Sequence, residues 1–366
     1  MYNDAFLNRK LKERLDQNSF RKLRLPGDKI DFCSNDYLGI VKNDLLRQSP
    51  TMKHNWKNGS TGSRLLSGNY PLIEEVEKEL AVFHEADAAL LFNSGYDANM
   101  GVISSIPQRG DTIIYDQLCH ASIRDGIRLS FGQSYSFAHN DLDNLERKIK
   151  QTEGNVFVVT ESLFSMDGDL CPLQSIVALC EKYNAHLIID EAHATGIIGE
   201  KGEGLVQQLQ LQQKIFCRIH TFGKAVGCHG AVVLGSQQLK DYLINFARSF
   251  IYSTSLPEHS IACIKASYTL FPLMNNERAH LKKMIEHFQQ ADIGYKKFVS
   301  DTPVQVVVIP GNDAVKNIAD SLQANKLDVR AILYPTVPKG AERLRIVLHA
   351  FNTIEELDML ISHLKN

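Results

Sequence analysis

The sequence predicts an α/β protein built on a largely parallel sheet with helices on both faces, followed by a smaller α+β domain. Three observations predict it. Short β-branched runs alternate with amphipathic helical stretches through the middle of the chain. The runs are almost continuously apolar, as strands covered on both faces must be. After about residue 260 the alternation gives way to a different pattern. In order, the strand candidates are AALLF (88–92), DTIIYD (111–116), SYSFAH (134–139), NVFVVTE (155–161), AHLIID (185–190), CRIHTF (217–222) and GAVVLG (230–235). DLDNLERKIKQ (141–151) and LQSIVALCEKYN (173–184) read as helices between them. Beyond residue 260 the pattern predicts a long helical stretch over 257–299, strands at 304–309, 328–333 and 343–348, and helices at 313–325 and 353–365. The expected organisation is an N-terminal segment 1–45 packing on the small domain, a large domain 46–260 and a small domain 261–366, because a lone helix as short as the N-terminal one is marginal in water.

The chain has 366 residues, 44% hydrophobic and 22% charged, with a net charge of −2. That composition buries a sizeable core and advertises no basic patch, so nucleic acid is not an expected partner. The longest apolar runs are far too short to span a bilayer, so no membrane association is expected. MYNDAFLNRKLKERLDQ is a charged amphipathic helix pattern without the apolar core of a signal peptide. The seven cysteines are odd in number and contain no C-x-x-C pair, which argues against a disulfide framework or zinc knuckle and for a reducing, cytoplasmic compartment. No metal is expected.

In such sheets sites lie beyond the carboxyl ends of strands, and the unusual residues fall there. Asp190 ends a buried strand and His193 follows three residues later; Asp190 reads either as a helix cap or as an acid with a cationic partner. The same stretch reads DEAH, but a nucleotide-hydrolysing box needs an upstream G-x-x-x-x-G-K-[ST] loop, and the Gly223-Lys224 pair has neither the spacing nor the position. Ser94-Gly95-Tyr96 is a small-residue turn at a helix start, able to present N–H groups to an anion. His120 and Ser165 each follow a strand; alone, one is an ordinary loop histidine and the other a cap or turn serine. Thr221 precedes Lys224 by three residues. Together these supply an amine that can form an imine, an acid for a pyridinium nitrogen, a phosphate cup and a ring to stack on another ring. Those are the needs of pyridoxal 5′-phosphate. Burial would lower the Lys224 amine's proton affinity and make it nucleophilic.

The stretches DFCSNDYLGI (31–40), FNSGYDANMG (92–101), DQLCHASIRDGIRLS (116–130), HNDLDNLE (139–146), VVTESLFSMDGDLCPL (158–173), IIDEAHATGIIGEKGEG (188–204), TFGKAVGCHGAVV (221–233), FARSFIYSTSLP (246–257) and YPTVPKGAERLRI (334–346) run nearly end to end. On them the chain resembles the α-oxoamine synthases, pyridoxal-phosphate enzymes of the aspartate-aminotransferase fold (fold type I). The resemblance implies that Lys224 carries the cofactor, Asp190 pairs with the pyridinium nitrogen, and His193 and Ser165 meet the phenolic oxygen region. It implies that His120 stacks on the ring, and that Gly95, Tyr96 and Thr221 hold the phosphate. Thr254 in YSTS would reach a neighbouring subunit's phosphate in a homodimer with shared sites. Arg21, with Arg24 close enough to compete for the alignment, Thr336 and Arg345 would contact substrates. The implied reaction is a decarboxylative condensation of an amino acid with an acyl-CoA or acyl carrier protein thioester. Within the family the chain is similar to the branch that joins L-alanine to a pimeloyl thioester in biotin biosynthesis. The alternatives are the glycine-using branches that make 5-aminolevulinate or 2-amino-3-oxobutyrate, an aminotransferase, and a non-catalytic homologue.

Four departures and features stand out. The biotin branch often reads Ile-Arg-Pro-Pro-Thr-Val-Pro where this chain has ILYPTVP (332–338). DEAHA replaces the commoner DDAHG. His229 stands where serine is more usual, and is expected either at the phosphate or in the core. The glycine- and serine-rich stretch 59–70 is expected to be ordered as part of the site.

Overall fold

Val156 and Val158 pack into one apolar cluster and Phe157 and Val159 into another, so this strand is buried on both faces. Its neighbours behave alike, which is why the runs lack polar alternation. In the computed structural model, which describes residues 2–53 and 55–365, seven strands form one sheet. They are β1 (Ala88–Phe92), β2 (Thr112–Asp116), β3 (Gln133–Phe137), β4 (Val156–Glu161), β5 (His186–Asp190), β6 (Cys217–Thr221) and β7 (Ala231–Gly235). These ends differ from the sequence reading by at most two residues. The order is β1-β7-β6-β5-β4-β2-β3. Only β7 is antiparallel to its neighbours β1 and β6; the pairs β6·β5, β5·β4, β4·β2 and β2·β3 are parallel. The carboxyl ends of β1, β2, β4, β5 and β6 therefore share one edge of the sheet.

Among the described residues, the helices of eight or more residues that accompany this sheet are α1 (Pro71–Phe83), α2 (Gly95–Ser105), α3 (Ala121–Leu129), α4 (Leu142–Ile149), α5 (Leu173–Tyr183), α6 (Gln237–Phe246) and α7 (Glu258–Leu270). Ala98, Val102, Ile123, Ile127, Leu239 and Leu243 bring α2, α3 and α6 onto one face. Leu145, Ile149, Ile176 and Val177 bring α4 and α5 onto the other. Each valine, leucine or isoleucine among them contributes about 1.5–3 kcal/mol on leaving water. Short polar caps start α2, α4 and α6: Ser94, Asp141 and Ser236 each accept a backbone N–H of the first turn.

Contacts divide the chain into a larger unit, Leu38–Ser165 with Leu170–Arg278, and a smaller unit, Met1–Tyr37 with Met166–Asp169 and Ala279–Asn366. The smaller unit holds an antiparallel sheet in the order Arg330–Ile332, Arg343–Val347, Val304–Val308, Lys296–Lys297. Ile30–Asp31 adds a parallel bridge to Leu327–Asp328. Helix Ile354–Leu364 opens with a capping box between Thr353 and Glu356.

Two expectations need correction. The stretch 257–299 is not one helix: α7 stops at Leu270, a 3₁₀ turn covers Phe271–Leu273, and a second helix runs Asn275–Gln290. Pro272 has no N–H and cannot continue an α-helix, and Lys296–Lys297 pairs instead with Val307 and Val308. The run 328–333 is also divided, because Leu327–Asp328 pairs with Ile30–Asp31 while Arg330–Ile332 turns to Arg343–Arg345.

Candidate active site

The strand ends of the larger unit gather a connected set of side chains. Asp190 ends β5 and is buried. Its Oδ1 accepts the Ala192 N–H at 2.8 Å and its Oδ2 accepts Asn99 Nδ2 at 2.7 Å. A carboxylate with two donors in a low-dielectric place is held in a fixed orientation. Asn99, on α2, also donates to Ser122 Oγ at 3.1 Å. Ser122 Oγ lies 2.7 Å from His120 Nδ1, which accepts the Ser122 backbone N–H at 3.2 Å. A line of hydrogen bonds thus runs from the His120 ring to the Asp190 carboxylate. Burial lowers the proton affinity of His120; Asp190 opposes that and Lys224 adds to it. An Nδ1 that accepts an N–H carries no proton of its own, so the ring is neutral, with Asp190 and Lys224 close by.

Lys224 lies in the turn between β6 and β7, half-buried, with Nζ 3.5 Å from Thr221 Oγ1. Thr221 ends β6 and is buried. Gly95 opens α2, whose first N–H groups point beyond Ser94. A Cβ on Gly95 would stand 2.3 Å from Thr221 Cγ2, so only glycine lets the two segments meet. Tyr96 is 42% exposed and its hydroxyl bonds Asp125, so its side chain turns outward. His193 is buried and Ser165 half-buried, each in the loop beyond its strand. Thr254 is exposed, with its carbonyl held by Asn93 Nδ2 at 2.8 Å.

In the smaller unit Arg21 Nη2 lies 3.5 Å from Thr336 Oγ1. Arg24 turns instead to Gln323 Oε1 at 3.2 Å and Asp320 at 3.8 Å. Arg345 donates to Asn35 Oδ1 at 2.9 Å.

Three residues of the strand-end set were missed from the sequence. Glu161 ends β4, pairs in register with Asp190, and accepts the His120 N–H at 2.6 Å. The signal was present, since TES closes an apolar strand with an acid just as IID does. Asn99 and Ser122 carried no signal, being polar residues inside helices. His229 is exposed, which overturns its reading as a core residue. The stretch 59–70 is tied down: Ser60 donates to the Ser255 carbonyl at 2.7 Å and Arg64 to Glu77 at 2.6 Å.

An oriented buried carboxylate, a neutral imidazole, a lysine amine, and a helix N-terminus beside a threonine hydroxyl form a donor set that fits a pyridine ring bearing an aldehyde and a phosphate. The fold is that of the pyridoxal-phosphate enzymes of fold type I. The family described as aminotransferase class I and II matches residues 27–364, and the chain belongs to it. Within that class it is similar to the 8-amino-7-oxononanoate synthase of Emericella nidulans, 40% identical over 390 residues that cover 97% of this chain and 93% of the relative. Among solved structures, the 8-amino-7-oxononanoate synthase of Francisella tularensis matches with a TM-score of 0.75 at 27% identity, covering 92% of this chain and 96% of that one. The serine palmitoyltransferase of Sphingomonas wittichii matches with a TM-score of 0.86 at 25% identity, covering 99% and 96%. No helix among the described residues is long and apolar enough to cross a membrane.

Proposed function

We propose that the chain is a pyridoxal-phosphate-dependent acyltransferase that condenses L-alanine with a pimeloyl thioester, on coenzyme A or a carrier protein, to give 8-amino-7-oxononanoate for biotin synthesis. The observation that carries the reaction class is the hydrogen-bonded line His120–Ser122–Asn99–Asp190 with Lys224 beside it. The names of the relatives support the substrates.

When bound, the cofactor supplies an electron sink for charge developing at the amino acid's α-carbon. Lys224 Nζ would hold the cofactor, then take the α-proton and later return it. Asp190, fixed by Asn99 and Ala192, would keep the ring nitrogen protonated. The neutral imidazole of His120 would cover the ring, and His193 and Ser165 would face its oxygen substituent. Gly95, Tyr96 and Thr221 would receive the phosphate. Arg345 would grip the amino acid's carboxylate with its planar fork, and Arg21 with Thr336 would contact the acyl donor; the pairing of Arg21 with Thr336 favours it over Arg24 for that part. The α-carbon of alanine bonds to the thioester carbonyl, the C–S bond breaks, and the thiol leaves. The substrate's carboxylate departs as carbon dioxide and a proton takes its place. We further propose a homodimer in which the exposed Thr254 meets the partner's phosphate site.

A second reading rests on Leu333-Tyr334, which stand in place of Arg-Pro: the amino acid is glycine and the acyl donor short. Thiol release separates the two. Purified protein loaded with cofactor is given pimeloyl-CoA, pimeloyl carrier protein or a short acyl-CoA, each with L-alanine, glycine or L-serine in turn. Release with L-alanine alone supports the proposal. Release with glycine and only from short acyl donors supports the second reading, and no release with any pair rejects both.

A further inference from the structure

Glu161 is a buried strand-end acid to which the mechanism above gives no part. It is 4% exposed at the end of β4. Register partners on parallel strands point to the same face, so its carboxyl lies beside that of Asp190. Asp190 has a donor on each of its two oxygens. Glu161 receives the backbone N–H of His120 at 2.6 Å. The charged and titratable groups that face it are Asp190 from β5, Asp116 from β2, Cys119 and His120 from the turn after β2, and Lys224 from the β6–β7 turn. Acids outnumber the cation. Two adjacent buried carboxyls do not both ionise, and the one with fewer donors keeps the proton. In keeping with that, burial and then the Asp190 charge push Glu161 up to about 8, against the His120 N–H and Lys224.

We propose that Glu161 is a positioning residue for the cofactor ring: it anchors the backbone of His120, and so the plane of its imidazole, while carrying a proton that leaves the negative charge to Asp190. This rests on the parts given to His120 and Asp190 above. A charged Glu161 would repel the Asp190 carboxylate and favour its protonation, loosening its hold on the ring nitrogen, and would keep Lys224 as an ammonium that cannot form an imine. Cofactor affinity should therefore fall as pH rises through the titration of Glu161.

The test uses the full chain as wild type, Glu161→Gln and Glu161→Ala. Amide exchange of the segment 117–123 is followed in cofactor-free protein, and pyridoxal 5′-phosphate affinity is followed by absorbance from pH 6 to 9. Glutamine still accepts the His120 N–H and cannot ionise. In Glu161→Ala the segment should exchange about tenfold faster and affinity at pH 7 should drop about tenfold, the worth of one buried hydrogen bond. Glu161→Gln should stay near wild type in both and lose the alkaline decline that wild type shows. Unchanged exchange in Glu161→Ala overturns the anchoring role. A glutamine variant that keeps the wild-type alkaline decline overturns the proton-bearing role, and this holds even where the alanine variant does not fold. Wild-type protein that binds the cofactor but releases no thiol would reject the proposed reaction while leaving both Glu161 readouts intact.

Discussion

A single methyl group at Gly95 decides whether α2 and β6 can meet. Thr221 is β-branched and its χ1 is stiff, so the Cγ2 that an alanine Cβ would strike at 2.3 Å cannot swing aside cheaply. Gly95→Ala should cost about 1–3 kcal/mol in stability, as overpacking does, and weaken pyridoxal 5′-phosphate binding. Adding Thr221→Ser removes the struck methyl and should restore most of both, read by thermal unfolding and cofactor titration; a double variant no better than the single one contradicts the contact. Asp190→Asn keeps the shape and most of the donors' partners but removes the charge. It should retain weak cofactor binding and lose about 10²–10⁴ in turnover. Lys224→Ala should fold and fail to turn over; repeated turnover in it would reject the part given to that amine.

At the scale of elements, Glu77 on α1 is 1% exposed and joins four segments. It accepts Arg64 at 2.6 Å, Lys240 of α6 at 2.9 Å and the Leu91 N–H of β1 at 2.9 Å. Glu77→Ala leaves two cations without their partner and should destabilise the chain by about 3–5 kcal/mol. The stretch 59–70 should become open to limited proteolysis at the same time. Nothing in EEVEKE separates Glu77 from Glu75 and Glu79, which face Lys265 at 2.5 and 2.6 Å on the exposed side. That is where sequence reading stopped. Strands buried on both faces were legible because burial demands an apolar run, and Lys224 and Asp190 were legible because a charge there needs a reason. Asn99, Ser122 and Glu77 act through partners far away in sequence, which no local pattern records. The break at Pro272 was legible in principle, but the helical periodicity on either side of it hid it.

Over the whole molecule, buried titratable groups set how stability varies with pH. Burial raises Glu161 to about 8 and Glu191 to about 7, with Arg218 opposing the shift at Glu191. These acids bind protons more tightly folded than unfolded. Their contribution is full below about 4.5 and is lost as pH rises through 7 and 8. Burial, then neighbouring Arg218, lowers His84 to about 3, and burial with His84 and Arg218 lowers His220 as well. The histidines contribute fully above about 6.5 and lose that contribution as pH falls. The melting temperature of the cofactor-free protein should therefore peak between about pH 4.5 and 6.5 and decline toward pH 8.5. Glu161→Gln combined with Glu191→Gln should flatten the alkaline decline. A melting temperature that climbs from pH 6.5 to 8.5 contradicts this account.

The reversed direction of β7 has a consequence for how the site comes together. Because β6 and β7 are antiparallel neighbours, the segment bearing Lys224 is a closed hairpin turn. Phe222 N–H meets the Gly230 carbonyl at 3.0 Å, Cys228 N–H the Phe222 carbonyl at 2.8 Å and Gly227 N–H the Lys224 carbonyl at 2.8 Å. Such a turn closes at little entropic cost. Gly95, His120, Glu161 and Asp190 reach it only through crossovers of many residues, the slow class of contact in folding. By that ordering the turn bearing the amine is expected to form before its surroundings do. A ligand that needs all of them binds the completed sheet alone, stabilises it by RT ln(1 + [L]/Kd), and so acts as a latch on the last contacts to form.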